Sequence, residues 1–297
     1  MKVLSLFDGI SCGMVALERA GVTVDRYVAY EIDKYAIQIS QKNYPHIEHH
    51  GDVTVADFMQ YKGFDLLIGG SPCQNMSTLG NRTGLEGEKS SLFFEFARAL
   101  KESSPRFFML ENNSNMPKKD KDIITEILGV APIEINSNVF APQNRPRLYW
   151  VGEKTETGQY KTVDIKLPHP AERNLYEVID GYCDKIVLVP FVKKKIPGIV
   201  SKYGYIPKMF NPYNTAEIKN VSPCLTAQGN SQTKSSSIII NNLDGTFSMA
   251  NATAWERLQT IPEKYTEGVP EGVRKSLVGN GWTVDVIAHI FKGLVQE

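Results

Sequence analysis

The sequence predicts an α/β chain in which a doubly wound, mostly parallel sheet is followed by a smaller, irregular β-containing lobe. Three observations predict this. Over the first 150 residues, short apolar runs alternate with stretches of helical spacing, the pattern of strands joined by crossover helices. From about residue 166 to residue 271 the chain becomes rich in Pro, Lys, Asn, Ser and Tyr, with little helical periodicity. Helical spacing then returns over 283–295, so this end is expected to pack back on the first domain. The chain divides accordingly into residues 1–168, a second lobe over 169–271 and a returning segment over 272–297.

The elements follow in order. Residues 2–7 are a strand, and 14–20 a helix closed by Gly21. Residues 26–30 are the next strand and 34–43 the next helix. A buried strand over 64–68 exits sharply through Gly69-Gly70-Ser71-Pro72, because glycine and proline punctuate a β run. A strongly apolar helix over 91–101 precedes a strand over 106–110, then a helix over 122–128 and extended runs over 133–140 and 147–151. In the second lobe, 186–192 and 237–240 have β character.

Composition narrows the class. With 297 residues and 42% apolar residues the chain can bury a large core, and no apolar run approaches membrane length. The amino terminus meets its first carboxylate, Asp8, too early for a secretory leader. Four scattered cysteines without a Cys-x-x-Cys pair argue against a disulfide framework or a metal site and for a reducing cytoplasm. Net charge is zero, yet residues 185–240 hold eight lysines against one acid, Glu217, leaving +7 there and −7 elsewhere. That distribution fits a nucleic-acid groove as well as a solvated lysine-rich surface.

In an open parallel sheet, ligands bind at the carboxyl ends of the strands, and the candidate polar residues fall there. The first strand ends in Phe7-Asp8-Gly9-Ile10-Ser11-Cys12-Gly13, the second in Glu31-Ile32-Asp33, and a short extended piece leads to Gly51-Asp52-Val53. A glycine turn followed by an acid fits a nucleoside whose ribose hydroxyls the acid accepts, but the third glycine of a pyrophosphate cradle is missing. Adding Asp52, a partner for an adenine amino group, points to an adenosine ligand without a diphosphate, such as S-adenosylmethionine. Cys73 lies on the loop after the 64–68 strand among Gln74, Asn75 and Ser77, a setting for a reactive thiol as opposed to a packed one. Glu111 ends the 106–110 strand; it could act on a ring nitrogen, cap the next helix or pair with an arginine. Arg145 and Arg147 in Gln143-Asn144-Arg145-Pro146-Arg147 lie two apart, hence on one face of an extended segment, where they could orient Glu111 and bind phosphate or a base oxygen.

These residues resemble the DNA (cytosine-5) methyltransferases over essentially the whole chain. The resemblance rests on ordered motifs: Leu6-Phe7-Asp8-Gly9-Ile10-Ser11, Glu31-Ile32-Asp33, Gly51-Asp52-Val53, Gly70-Ser71-Pro72-Cys73-Gln74, Ser91-Leu92-Phe93-Phe94, Glu111-Asn112, the Gln143–Arg147 motif and Gly279-Asn280-Gly281-Trp282. The pattern is of the bacterial and phage type, while Ser11 followed by Gly13 is similar to the animal de novo branch. Asn113 and Gly281 depart from the commonest residues at their positions without removing a catalytic group.

The resemblance implies an S-adenosylmethionine-dependent methyltransferase fold with residues 169–271 as target-recognition lobe. It implies that Cys73 adds to C6 of a flipped cytosine in duplex DNA while Glu111 engages N3 and the exocyclic amine. Arg147 then contacts the cytosine carbonyl, and Arg145 steadies Glu111 or the nucleotide's backbone. The cofactor falls to Phe7, Asp8, Gly9, Ser11, Glu31, Ile32, Asp52, Val53, Pro72, Leu92 and Asn280. DNA falls to Gln74, Ser77, Lys193, Lys194, Lys195 and Gln228. No metal or membrane is expected; a cognate restriction endonuclease is an expected partner, the chain is expected to be a monomer, and its setting is the cytoplasm of a bacterial cell or phage-infected host. An RNA (tRNA) cytosine methyltransferase of the same architecture, or a catalytically silent DNA-binding paralogue, are the competing readings. Intact Cys73, Glu111, Arg145 and Arg147 argue against the latter.

Overall fold

A computed structural model describes residues 1–71, 92–169, 172–227 and 231–295. The chain divides into two compact units: Met1–Ile135 with Pro146–Lys166 and Ile287–Glu297, and Asn136–Arg145 with Leu167–Val286.

In the first unit, β1 (Lys2–Leu6), β2 (Arg26–Tyr30), β3 (Glu48–His49), β4 (Leu66–Gly70) and β5 (Phe107–Asn113) are parallel neighbours in the order β3-β2-β1-β4-β5. Strands β6 (Pro132–Asn136) and β7 (Pro146–Lys154) extend the sheet beyond β5, and β8 (Tyr160–Thr162) pairs with β7. The β5–β7 pair is antiparallel. Helices α1 (Cys12–Arg19), α2 (Lys34–Asn43), α3 (Leu92–Ser103) and α4 (Lys118–Leu128) connect these strands. Asp33 starts α2 by accepting hydrogen bonds from the amides of Tyr35 and Ala36. Gly129, left-handed at φ 71°, closes α4. Buried Leu4, Leu67, Phe96, Phe108, Leu110 and Trp150 belong to one apolar cluster, as expected where helices cover a parallel sheet. Strand order reverses between β1 and β4, and such a switch point opens a crevice at the strand ends.

The extended run expected over 133–140 stops at Asn136, whose side chain accepts from the amide of Asn138 and starts a 3-10 turn over Ser137–Val139. The 147–151 run is part of β7.

The second unit carries an antiparallel sheet of β9 (Cys183–Ile186), β10 (Met209–Asn211), β11 (Ala216–Glu217), β12 (Ile239–Asn241) and β13 (Phe247–Ala250), ordered β11-β10-β12-β13-β9. Its helices are α5 (Leu175–Ile179), α6 (Pro190–Tyr203), α7 (Ala252–Leu258) and α8 (Glu271–Asn280). Helix α6 corrects the extended run expected over 186–192. Pro190 occupies its first turn, where a missing amide costs nothing, and Val192 and Ile199 pack on Phe210 and Ile239. A final helix, α9 (Val284–Val295), has its residues from Ile287 onward in the first unit, where His289 meets the carbonyl of Lys166 at 2.8 Å.

Candidate active site

Register places the functional ends of four strands side by side. Leu6 is opposite Tyr30 and Gly69, Gly69 is opposite Leu110, and Gly70 is opposite Glu111. The residues that follow, 7–9, 31–33, 71 and 111–113, therefore share one edge of the sheet.

At the β1 end, Gly9 adopts φ 61° and its missing Cβ leaves open space, so a ligand can approach the backbone. Its amide donates to Glu31 Oε2 at 2.8 Å, while Oε1 accepts from the amides of Ile32 and Asp33 at 2.7 and 2.8 Å. Three of the roughly four acceptor positions of a carboxylate are thus filled by backbone. Glu31 is held rigid with one position at Oε2 left for a hydroxyl donor. Ile32 beside it is 77% exposed, an apolar surface at a polar edge.

Asp52 is exposed and caps the 3-10 turn Val53–Val55, accepting from the amide of Thr54 at 2.9 Å. Arg98 of α3 pins that turn, donating to the carbonyls of Val53 at 3.0 Å and Ala56 at 2.8 Å. Nothing in the sequence marked Arg98; an arginine in an amphipathic helix reads as a solvated face.

At the β5 end, the guanidinium of Arg147 lies on Glu111, Nε to Oε1 3.0 Å, with side chains 15% and 12% exposed. Glu111 is opposite Tyr149 and Asn113 is opposite Arg147, so the pair is diagonal on one face of an antiparallel ladder. The next residue, Asn112, is buried and its Nδ2 lies 3.2 Å from Ser71 Oγ. Asn112 thereby ties the end of β5 to the residue two before Cys73.

The family model for C-5 cytosine-specific DNA methylases matches residues 1–296. The chain belongs to this methylase family. Among curated relatives, the orphan methyltransferase M.SPRI of Bacillus phage SPR is 38% identical over 164 residues, 51% of this chain and 37% of that protein. The type II methyltransferase M.NlaX of Neisseria lactamica is 26% identical across 97% of this chain and 94% of its own length. The chain spans about a third of the length of two phage relatives it matches, 37% and 33%. Among solved structures, the Dnmt2 methyltransferase of S. pombe superposes with a TM-score of 0.76 at 18% identity, covering 100% of this chain and 98% of that one. That likeness shows a shared fold: an α/β methyltransferase domain with a mostly parallel sheet and a separate antiparallel sheet.

Within this chain, three expected cofactor side chains face inward. The carboxylate of Asp8 accepts from the hydroxyls of Ser5 and Tyr27 at 2.6 Å and of Ser11 at 2.5 Å. Burial pushes its pKa up, against the lowering effect of those three donors. Ser11 is fully buried, and its hydroxyl continues through Ser40 at 2.6 Å to His49 Nε2 at 2.9 Å. Val53 belongs to the apolar core. Any contact these three make with a ligand falls to their backbone. Phe7, left-handed at φ 57°, and Leu92 are half-buried against the same core. Pro72, Cys73, Gln74, Ser77 and Gln228 lie outside the described residues.

The motif holding both arginines is divided between the units. Arg147 pairs with Glu111 in the first; the resemblance implied that Arg145 would steady either Glu111 or the nucleotide's backbone. Arg145 is 4% exposed, and its donors engage carbonyls of the second unit. Gln143, also buried there, donates to the carbonyl of Leu258 and accepts from the amide of Leu225. Strand β7 begins only at Pro146, so the alternation that would put Arg145 and Arg147 on one face does not reach Arg145. Lys193, Lys194 and Lys195 are consecutive on α6 and therefore fan around it at about 100° per residue; Lys193 and Lys194 are exposed, and the Lys195 ammonium lies 5.4 Å from the Phe191 ring centroid.

Proposed function

We propose that this chain transfers a methyl group from S-adenosylmethionine to C5 of a cytosine in a specific duplex DNA sequence, through a covalent bond between Cys73 and C6. The observation that carries this reading is the Glu111–Arg147 pair at the strand edge, tied by Asn112 to Ser71 just before Cys73, in a chain of the C-5 cytosine family.

C5 of cytosine is a poor nucleophile. Addition of the Cys73 thiolate to C6 makes it an enamine carbon, provided N3 is engaged as charge builds there. Glu111 takes that task in this reading, which its contact with Arg147 supports by holding its orientation. Arg147 also contacts the cytosine carbonyl oxygen. The base reaches these groups only when flipped from the duplex. Once C5 carries the methyl group, loss of its proton and departure of the Cys73 sulfur restore the aromatic ring.

The residues present fit an adenosyl cofactor. Gly9 offers open backbone, Glu31 one free acceptor position for a ribose hydroxyl, Ile32 an exposed apolar face and Asp52 an acceptor for an adenine amino group. Asn280, Phe7, Leu92 and Pro72 complete the set. When bound, S-adenosylmethionine supplies a methyl group on a sulfonium, ready for attack by carbon. The second unit contacts the DNA, with Lys193 and Lys194 on phosphates and Gln228 with Gln74 and Ser77 on bases. The protein acts as a monomer in the cytoplasm and pairs with a cognate restriction endonuclease where its genome encodes one. Among the described residues no helix is long and apolar enough to cross a membrane.

Bisulfite sequencing of host DNA after expression tests this reading. Protected cytosines in one recurring sequence context, absent with Cys73→Ser, are expected. Unprotected DNA alongside methylated tRNA would transfer the activity to RNA.

A further inference from the structure

The second unit contains a turn gripped by two buried polar side chains, Arg145 and Gln259. Residues 279–281, Gly-Asn-Gly, end α8. Arg145 grips this turn with one nitrogen: Nη2 lies 3.2 Å from the carbonyl oxygen of Gly279 and 2.8 Å from that of Gly281. Its other terminal nitrogen, Nη1, donates to the carbonyl of Leu225 at 2.7 Å and to Cys224 Sγ at 3.6 Å. Four of the five N–H donors of a guanidinium thus have acceptors inside this unit. These four donors are committed to groups of the second unit itself.

Gln259 grips the same turn, its Nε2 lying 3.1 Å from the carbonyls of both Val278 and Gly281. Gln143 in turn donates to Gln259 Oε1 at 3.0 Å. Below the turn, a Cβ on Gly279 would sit 2.4 Å from the carbonyl carbon of Thr226, so backbone meets backbone and only glycine fits. Asn280, between the two gripped glycines, is exposed. A rigid turn presenting a single amide is what pre-organised ligand contact requires.

We infer that Arg145 is a positioning residue for cofactor binding: it acts through Asn280 on S-adenosylmethionine, not at the cytosine. The two arginines of one five-residue motif then serve different ligands, Arg147 the base through Glu111 and Arg145 the cofactor through the 279–281 turn. This inference rests on the assignment of Asn280 to the cofactor made above.

The test is a double-mutant cycle. Dissociation constants for S-adenosylmethionine are measured by calorimetry on the full chain for wild type, Arg145→Lys, Asn280→Ala and the pair. Single-turnover methylation of unmethylated genomic DNA is measured at saturating cofactor. Lysine keeps the charge but cannot grip two segments in a fork. Each single variant is expected to weaken cofactor binding about tenfold, and the double variant no more than twofold further, because both changes remove one contact. The single-turnover rate of Arg145→Lys at saturating cofactor is expected to stay within threefold of wild type. Multiplicative losses in the cycle, or a collapsed rate with an unchanged dissociation constant, would overturn the role of Arg145. An unchanged constant for Asn280→Ala alone would instead remove the assignment of Asn280. Should Arg145→Lys fail to fold, Gln259→Met removes the other grip on the same turn without adding bulk, and its weakened cofactor binding with a preserved saturated rate is expected. Preserved cofactor binding in that folded variant would contradict the inference.

Discussion

Glu111 and Arg147 face each other diagonally across β5 and β7, Oε1 to Nε 3.0 Å, at the edge where the parallel strands end. Neither is on a loop. Both belong to paired strands, so the geometry between acid and guanidinium is set by the sheet ladder rather than by a mobile segment.

Glu111 and Arg147 are expected to act as one unit. Glu111→Gln and Arg147→Ala should each lower the single-turnover rate by about 100-fold or more, the range of a positioned acid or base. The double variant should lose no more than about threefold beyond the worse single, since groups that act together are not additive. Rapid-quench methylation assays check this. Two independent, multiplying losses would show that Arg147 does not work through Glu111.

The lysines of α6 are expected to contribute unequally to DNA binding. Val192 and Ile199 define the buried face of this helix, so Lys194 projects from the opposite side, whereas Lys195 has its ammonium over Phe191. Lys194→Gln should reduce the slope of log affinity against log salt by about 1, one phosphate contact, and Lys195→Gln should reduce it less. Filter binding across a salt series measures both slopes. An unchanged slope for Lys194→Gln would put this helix face away from DNA.

Much of the first unit was legible because its elements are strongly patterned. β1, β2, β4 and β5 are short apolar runs ended by glycine or polar residues, and α3 has one apolar stripe. What the sequence hid was tertiary. Nothing local says that β7 runs antiparallel to β5, and α6 was obscured by Pro190 and Pro197, which read as breakers when their place in the helix is unknown. The same limit applies to the site. Glu31 and Asp52 were identified as candidate ligands by their place after strands, but that Arg98 pins the Val53–Val55 turn, or that Arg145 points into the second unit, depends on contacts many residues apart.

Asp8 gives a pH signature. Its folded pKa lies above the ordinary 3.8 because burial outweighs three hydroxyl donors. A carboxyl raised in this way stabilises the fold fully below its unfolded value, and that contribution is lost as pH rises through the folded value. Asp8→Asn keeps an acceptor for Ser5 and Tyr27 and can donate to the Ser11 oxygen, without a charge to bury. The variant is therefore expected to gain stability relative to wild type as pH rises from roughly 4 to 7. Urea denaturation at the two ends of that range checks it; a gap moving the other way would contradict the buried-carboxyl account.

The most direct measurement is covalent capture on DNA in which cytosine carries fluorine at C5. Fluorine cannot leave as a proton, so after methyl transfer the sulfur–C6 bond has no route to break. With S-adenosylmethionine present, a denaturation-resistant complex is predicted, and peptide mass spectrometry should place the nucleotide on Cys73. A stable complex through Cys12, Cys183 or Cys224, or normal methylation of unmodified DNA by Cys73→Ser, would contradict the account.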